Sequence, residues 1–356
     1  MKYSYPAKKI FTGTEWISHG VLVVENDRIV AIEQKEVPHA IPMIAPALID
    51  LQIYGAGGKL LSVFPDESAI QLLYAYCKAG GANWFQPTVA TNSLTVIHQC
   101  IDAVRGYQQA NGKGCIGLHI EGPWISEAKR GAHIAEFIRI PTLEEVKKLL
   151  DYGEGIITMI TLAPEIVSKE IIYYIQSRGI VVSAGHTNAT YQQATAAFND
   201  GIKTATHLYN AMSALQHRSP GVVGAIFDHE KVMCSIVPDG YHVDFAAIKI
   251  AKKIMGKRLF AITDAVTTTD TGAYPHQLAG DKYEANGILS GSALTMLQCV
   301  KNLVDKVNME LGEALRMCSV YPAQIMGLPQ ISGMLKIGES ADFICLDENL
   351  QIIKAE

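Results

Sequence analysis

From residue 44 to residue 263 the chain alternates short apolar runs with amphipathic stretches. The runs Ile44–Leu51, Ala82–Val89, Cys115–Ile120, Ile156–Leu162, Ile180–Ser183, Lys203–Thr206, Val232–Val237 and Leu259–Thr263 have strand length and turn residues at their ends, so each predicts a buried strand. Helical spacing predicts helices over Glu67–Ala79, Ser93–Gln109, Leu143–Leu150 (behind a Thr142…Glu145 capping box), Ser168–Arg178, Tyr191–Asp200 and Phe245–Met255. Glycine follows several of them, as a helix stop requires. Eight strands separated by helices, each pair turning over in roughly 20 to 40 residues, predict an α/β fold of the (β/α)8 TIM-barrel type. The alternative, an open doubly wound sheet, usually carries a phosphate turn after its first strand. Here Gly55-Ala56-Gly57-Gly58 lacks the GxGxxG spacing and reads as a barrel loop.

Outside this region the pattern changes. Strands within residues 9–32, with Val21–Val24 and Arg28–Ile32 joined at Glu25-Asn26-Asp27, are mirrored by Ala341–Leu346 and Gln351–Ile353 around Asp347-Glu348-Asn349. Neither terminal segment can bury a face alone. Residues 1–43 and 331–356 are therefore expected to form one small, discontinuous β-sandwich-like domain beside a barrel at 44–330.

In parallel barrels catalytic groups come from strand C-terminal ends. The predicted strands end at or beside Gln52, Glu121, His186, His207 and Asp264. Glu121, His186 and His207 make a set of one carboxylate and two imidazoles that leaves a fourth position open, the arrangement that activates water on a metal. Zinc suits these donors best; iron, cobalt or manganese can occupy the same ligands. A pair of hydrogen-bonded histidines is the plainer reading of His186 and His207. Asp264 beside activated water can act as general base and then general acid, or else as a loop cap. His133, in RGAHIAEF, can stabilise an oxyanion or simply be solvated. Arg218, in QHRSPG, is a candidate phosphate clamp or a surface arginine. His242, in PDGYHVD, can donate to a sugar hydroxyl or take part in helix-capping geometry with Asp244.

Composition narrows the class. Of 356 residues 49% are apolar and 18% charged, which suits a large core, and a net charge of −5 argues against nucleic acid or anionic membrane as partners. Seven cysteines without CxxC spacing read as reduced core residues. The start, MKYSYPAKKIFTG, has no signal-like apolar segment and no run reaches membrane-spanning length, so a cytoplasmic, soluble protein is expected.

Taken in order, LHIEGPWIS, RGAHIAEF, SAGHTNA, THLYNAM, PDGYHVD, ITDAV and LSGSALTM closely resemble the N-acetylglucosamine-6-phosphate deacetylase family of the amidohydrolase superfamily, and the likeness spans the chain. It implies Glu121, His186 and His207 as ligands of one divalent ion, and Asp264 as the acid/base. It further implies that His133 contacts the acetyl carbonyl, His242 lies near a sugar hydroxyl, and Asn210 and Ala211 contact substrate, with Leu289, Ser290 and Gly291 lining the pocket. Arg218 is implied as a phosphate ligand that can reach a neighbouring protomer's site, hence a homodimer acting on a phosphorylated amino sugar. One departure stands out. The wider superfamily commonly ends its first strand in His-x-His, ligands of a second metal; here Gln52-Ile53-Tyr54 stands instead, poor replacements for imidazoles. Some deacetylases of this family carry Gln at the first position and work with one ion. Rival expectations are a deacetylase for another N-acetyl-hexosamine phosphate, a dihydroorotase-like or dipeptidase-like amidohydrolase, and a catalytically silent scaffold.

Overall fold

The computed structural model describes residues 1–285 and 287–353. Eight parallel strands, Leu48–Ile53, Ala82–Ala90, Leu118–Glu121, Ile157–Leu162, Val181–Ala184, Thr204–Ala205, Met233–Ile236 and Leu259–Ala261, pair in sequence order. The eighth meets the first: Asp264 N donates to Gln52 O (3.0 Å) and Tyr54 N to Ala265 O (2.9 Å), with Ile53 bridging Ala265. The sheet is thus a barrel, as the alternation predicted, and the strand ends that carry the chemistry lie at its C-terminal rim.

The first apolar run needs correction, because it is two strands. Ile41–Pro46 pairs on one side with Lys2–Phe11 and on the other with Phe343–Leu346, and only Leu48–Ile53 enters the barrel. Proline has no amide to continue a ladder, and Ala47 N turns to Asp342 O (3.0 Å). Residues 44–46, expected in the barrel, therefore lie in the terminal sheet. That sheet is a single one of six strands, in the order Ile352–Ile353, Phe343–Leu346, Ile41–Pro46, Lys2–Phe11, Trp16–Glu25, Arg28–Gln34, rather than a sandwich-like pair. Its first strand begins seven residues before the predicted start, where Lys8, Lys9 and Pro6 break the apolar alternation. Both chain ends share its core through Ile10, Leu22, Ile29, Ile44 and Cys345.

The helices lie close to the predicted bounds, at Glu67–Ala79, Leu94–Gln109, Leu143–Tyr152, Lys169–Ser177, Tyr191–Asn199 and Phe245–Met255. Ser93, Thr142, Ser168, Thr190 and Asp244 cap them by accepting first-turn amides. The Thr142…Glu145 box is half formed, because Arg139 takes the Glu145 carboxylate (2.7 Å); the reciprocal box is Thr190…Gln193. The cysteines are free thiols, buried except for the half-buried Cys115. No helix among the described residues is long and apolar enough to cross a membrane.

Asp50 sits inside the barrel wall below the rim, 1% exposed, accepting from the Thr263 hydroxyl and the amides of Thr263 and Gln52. Burial raises its pKa to about 7, against the hydrogen bonds that favour the anion. The native state therefore holds a proton that the unfolded chain, with a pKa of about 3.9, has already released. Stability contributed by this group is present below pH ~4 and lost as pH rises through about 7. Urea midpoints of the wild type, relative to Asp50→Asn, should fall between pH 5 and pH 8; parallel midpoints would refute this.

Candidate active site

Register explains how distant residues meet. Ala184 pairs with Ala205, so His186 and His207, each two residues further on, leave their strands at the same level. Glu121 pairs with Thr161, which in turn pairs with Ser183. His186, His207 and Asp264 have φ of 46°, 41° and 55°. This left-handed backbone costs an L-residue roughly 1–2 kcal/mol and is held only where the surroundings enforce it. The turn it makes ends each strand and directs the side chain into the barrel mouth.

There the donor atoms converge on Glu121, which is 2% exposed. His186 Nε2 and His207 Nε2 lie 3.5 and 3.2 Å from its Oε1, and 3.1 Å from each other. Their other nitrogens face backbone carbonyls, Lys129 O at 3.0 Å and Asn210 O at 3.1 Å. A carbonyl only accepts, so each Nδ1 carries the proton and each Nε2 presents a lone pair to the carboxylate. Three acceptors facing one another repel unless a positive charge sits among them. Tetrahedral donors about 2.0–2.1 Å from an ion stand about 3.3 Å apart, and the observed separations match. The residues fit a divalent ion.

The electrostatics agree. Burial alone would raise the Glu121 carboxyl, yet His186, His133 and His207 outweigh it and hold the group well below the usual carboxylate range. Burial, helped by His133, pushes His186 down to about 4. The pair is thus in its deprotonated, metal-ready form. Burial opposes charge on His207 as well, but Glu121 and Asp264 raise its pKa, a sign of the demand for positive charge at this point.

His133 lies as close: Glu121, His133 and His186 also offer donor atoms within 4.8 Å of one another. Its Nε2 is 3.3 Å from Glu121 Oε2 and its ring centroid is 4.1 Å from that of His186. The difference is at Nδ1, which meets the Thr91 hydroxyl (2.7 Å) instead of a carbonyl. The Thr91 hydroxyl has one proton and two acceptors within reach, Glu121 O at 3.4 Å and His133 Nδ1 at 2.7 Å; given to the nearer one, it leaves the imidazole proton on Nε2. His133 can therefore be a hydrogen-bond donor at the centre, whereas His186 and His207 cannot. The expectation of a solvated loop histidine fails, since His133 is 6% exposed.

Gln52 and Tyr54 fill the place where further imidazoles were missed. Gln52 Nε2 lies 2.6 Å from Asp264 Oδ1, 2.8 Å from the Tyr54 hydroxyl and 3.1 Å from Glu121 Oε1. Tyr54 donates to Glu121 Oε2. Burial and the Glu121 charge raise the Tyr54 pKa, so the phenol keeps that proton. Each group occupies carboxylate lone pairs that a second cation would need. Asp264 is not a loop cap: its carboxylate faces the cavity, and burial, reinforced by Glu121, raises its pKa.

The centre lies in a cavity of ≈ 200 Å³. His242, Asn210 and Ala211, the expected substrate contacts, and Leu289, Ser290 and Gly291, the expected pocket wall, are among its lining residues. His242 Nδ1 donates to Asp239 (2.6 Å) while Asp244 caps the following helix, so the histidine is free of the capping role. Arg218 lies apart, exposed in a turn closed by Gln216 and Ser219. No lysine or arginine is among the described lining residues. Sequence reasoning missed Thr91, Tyr274 and His276. The last two belong to an excursion after the eighth strand, where no periodic pattern marked them.

Comparison with known proteins bears on this geometry. The amidohydrolase family model matches residues 43–355. An N-acetylglucosamine-6-phosphate deacetylase from Haemophilus influenzae is 32% identical across 99% of this chain and 97% of its own length. An N-acetylgalactosamine-6-phosphate deacetylase from Escherichia coli O157:H7 is 29% identical, with 99% of this chain and 97% of that protein covered. The crystal structure of N-acetylglucosamine-6-phosphate deacetylase from Pasteurella multocida superposes with a TM-score of 0.91 at 32% identity, covering 98% of this chain and 97% of that one.

Proposed function

Because the chain belongs to the amidohydrolase family, it is a hydrolase, and we propose that it hydrolyses the N-acetyl amide of N-acetyl-D-glucosamine 6-phosphate to D-glucosamine 6-phosphate and acetate. The observation that carries this reading is the convergence of two carbonyl-oriented imidazole lone pairs and one carboxylate beside Asp264. Glu121, His186 and His207 are assigned as ligands of one divalent ion, with zinc first on donor type. When bound, the ion supplies the Lewis acidity that lets water attack at neutral pH.

The chain's own groups do the rest. Asp264 takes a proton from the attacking water, and as the C–N bond breaks it returns that proton to the leaving amine. His133, its Nδ1 served by Thr91, donates from Nε2 to the acetyl oxygen as negative charge builds there. His242 offers Nε2 to a sugar hydroxyl, and Asn210, Ala211, Leu289, Ser290 and Gly291 shape the pocket. A phosphate needs a cation that the described lining does not supply. Arg218 is assigned that role from the partner subunit of a homodimer, which its exposure permits.

Acetate release should be fastest with N-acetylglucosamine 6-phosphate, lower with the galactosamine epimer, and at least about tenfold lower with the unphosphorylated sugar, since a charge-assisted contact is worth about 1.5–3 kcal/mol. Equal rates with and without phosphate would remove Arg218 from the argument, and a faster epimer would reassign the substrate to that of the Escherichia coli relative. Mixing Arg218→Ala dimers, slowed at least about tenfold by loss of the phosphate contact, with Asp264→Asn dimers tests the crossing. Exchange of subunits restores activity only if one protomer's Arg218 completes its partner's site.

A further inference from the structure

After Ala265 the chain leaves the barrel and returns at Ser292, where Ser292 N donates to Asp264 O (2.9 Å) and Val266 N to Ser292 O (3.1 Å). The excursion carries an antiparallel three-stranded sheet, Gln277–Ala279, Lys282–Ala285 and Ile288–Ser292, separate from the barrel. Tyr274 latches it to the second barrel strand's end through a 2.5 Å hydrogen bond to Thr91 O, and packs with Tyr54, Leu60 and Val266. Six of the cavity's lining residues come from it: Val266, Tyr274, His276, Leu289, Ser290 and Gly291.

Among the described lining residues of this wall, His276 is a ring whose chemistry is unspent. It is 4% exposed, its backbone is fixed by Thr269 N donating to His276 O (3.0 Å), and its ring lies parallel to Tyr274 at 6.3 Å. Nδ1 lies 3.2 Å from Ser290 Oγ, while Nε2 has no hydrogen-bond partner among the described residues. Burial pushes its pKa down to about 4, so at neutral pH it is an uncharged ring that donates at one nitrogen and accepts at the other. A neutral imidazole beside a hydroxyl suits an uncharged polar group and gains little from phosphate.

We propose that His276, paired with Ser290, is a sugar-contacting residue that binds a ring hydroxyl of the hexosamine through Nε2, so that the excursion wall takes part in choosing the substrate. The inference rests on the amino-sugar reading above. Ser290 engages Nδ1 and leaves Nε2 for the ligand, and the Tyr274 latch sets where the ring stands.

The test uses full-length enzyme loaded with its metal. His276→Phe keeps a ring against Tyr274 and removes both nitrogens; His276→Asn restores a donor and an acceptor. His276→Phe is expected to raise KM about three- to tenfold with kcat changed by less than about twofold, the loss of one neutral hydrogen bond made equally in ground and transition states. His276→Asn should recover most of that KM. With the 1-, 3- and 4-deoxy analogues of N-acetylglucosamine 6-phosphate, the ratio of KM between His276→Phe and wild type should collapse toward one for a single analogue, identifying the hydroxyl. An unchanged KM, or the same ratio for all three analogues, overturns the proposal and leaves the deacetylase reading standing. Failure of the wild type to release acetate from any hexosamine phosphate sinks both.

Discussion

An Asp264→Asn variant is expected to hydrolyse its substrate about a thousandfold more slowly than wild type, within the range that a positioned proton donor and acceptor contributes, while keeping its metal content and melting temperature. The geometry predicts this separation. Gln52 Nε2 donates to Asp264 Oδ1 at 2.6 Å, and an asparagine oxygen accepts the same bond, so the side chain has reason to stay in place. Asp264 is not one of the three groups assigned to the ion, so the ion should remain. What disappears is a carboxylate that can hold a proton between attack and departure. Because burial raises the Asp264 pKa, the acid limb of the wild-type rate should lie above the range of an ordinary aspartate, and the variant should lack that limb. Steady-state rates across pH, with metal analysis of the same samples, check both points. Near-full turnover in the variant would mean that the proton moves by another route.

The second large effect is expected at Glu121. Glu121→Gln should bring metal content down from about one ion per chain toward zero after dialysis, and turnover down by more than about a thousandfold, because a dication held by two neutral imidazoles loses its only anionic ligand. The amide also disturbs its neighbours. Tyr54 donates to one carboxylate oxygen and Gln52 to the other, and an amide has only one oxygen to offer them. Stability gives an independent readout. An ion that binds only the folded chain stabilises it by mass action, so chelation should lower the melting temperature of wild type and leave that of Glu121→Gln unmoved. A variant that retains one ion per chain with wild-type affinity would show that His133, His186 and His207 hold it without the carboxylate.

Much of this centre was legible in the sequence for a geometric reason. In a parallel barrel, the residue at which an apolar run stops lies at one rim whatever the loops do, so Glu121, His186, His207 and Asp264 could be placed together from local pattern alone. His133 was harder. Its loop shows no periodicity, and burial against Glu121 and Thr91 arises from contacts across the barrel mouth. His276 gave no signal at all, because its place depends on Tyr274 reaching a carbonyl 183 residues earlier in the chain.

The sequence by itself determined the alternation of strands and helices and which side chains stand at the strand ends, because both depend on periodicity and turn chemistry within a few residues. Only the tertiary structure decided that Ile41–Pro46 belongs to the terminal sheet, that His186, His207 and Asp264 turn inward on left-handed backbone, and that carbonyls on Lys129 and Asn210 fix the imidazole lone pairs. Those outcomes depend on which distant segments compete for the same hydrogen bonds, and that competition is resolved only when the barrel closes.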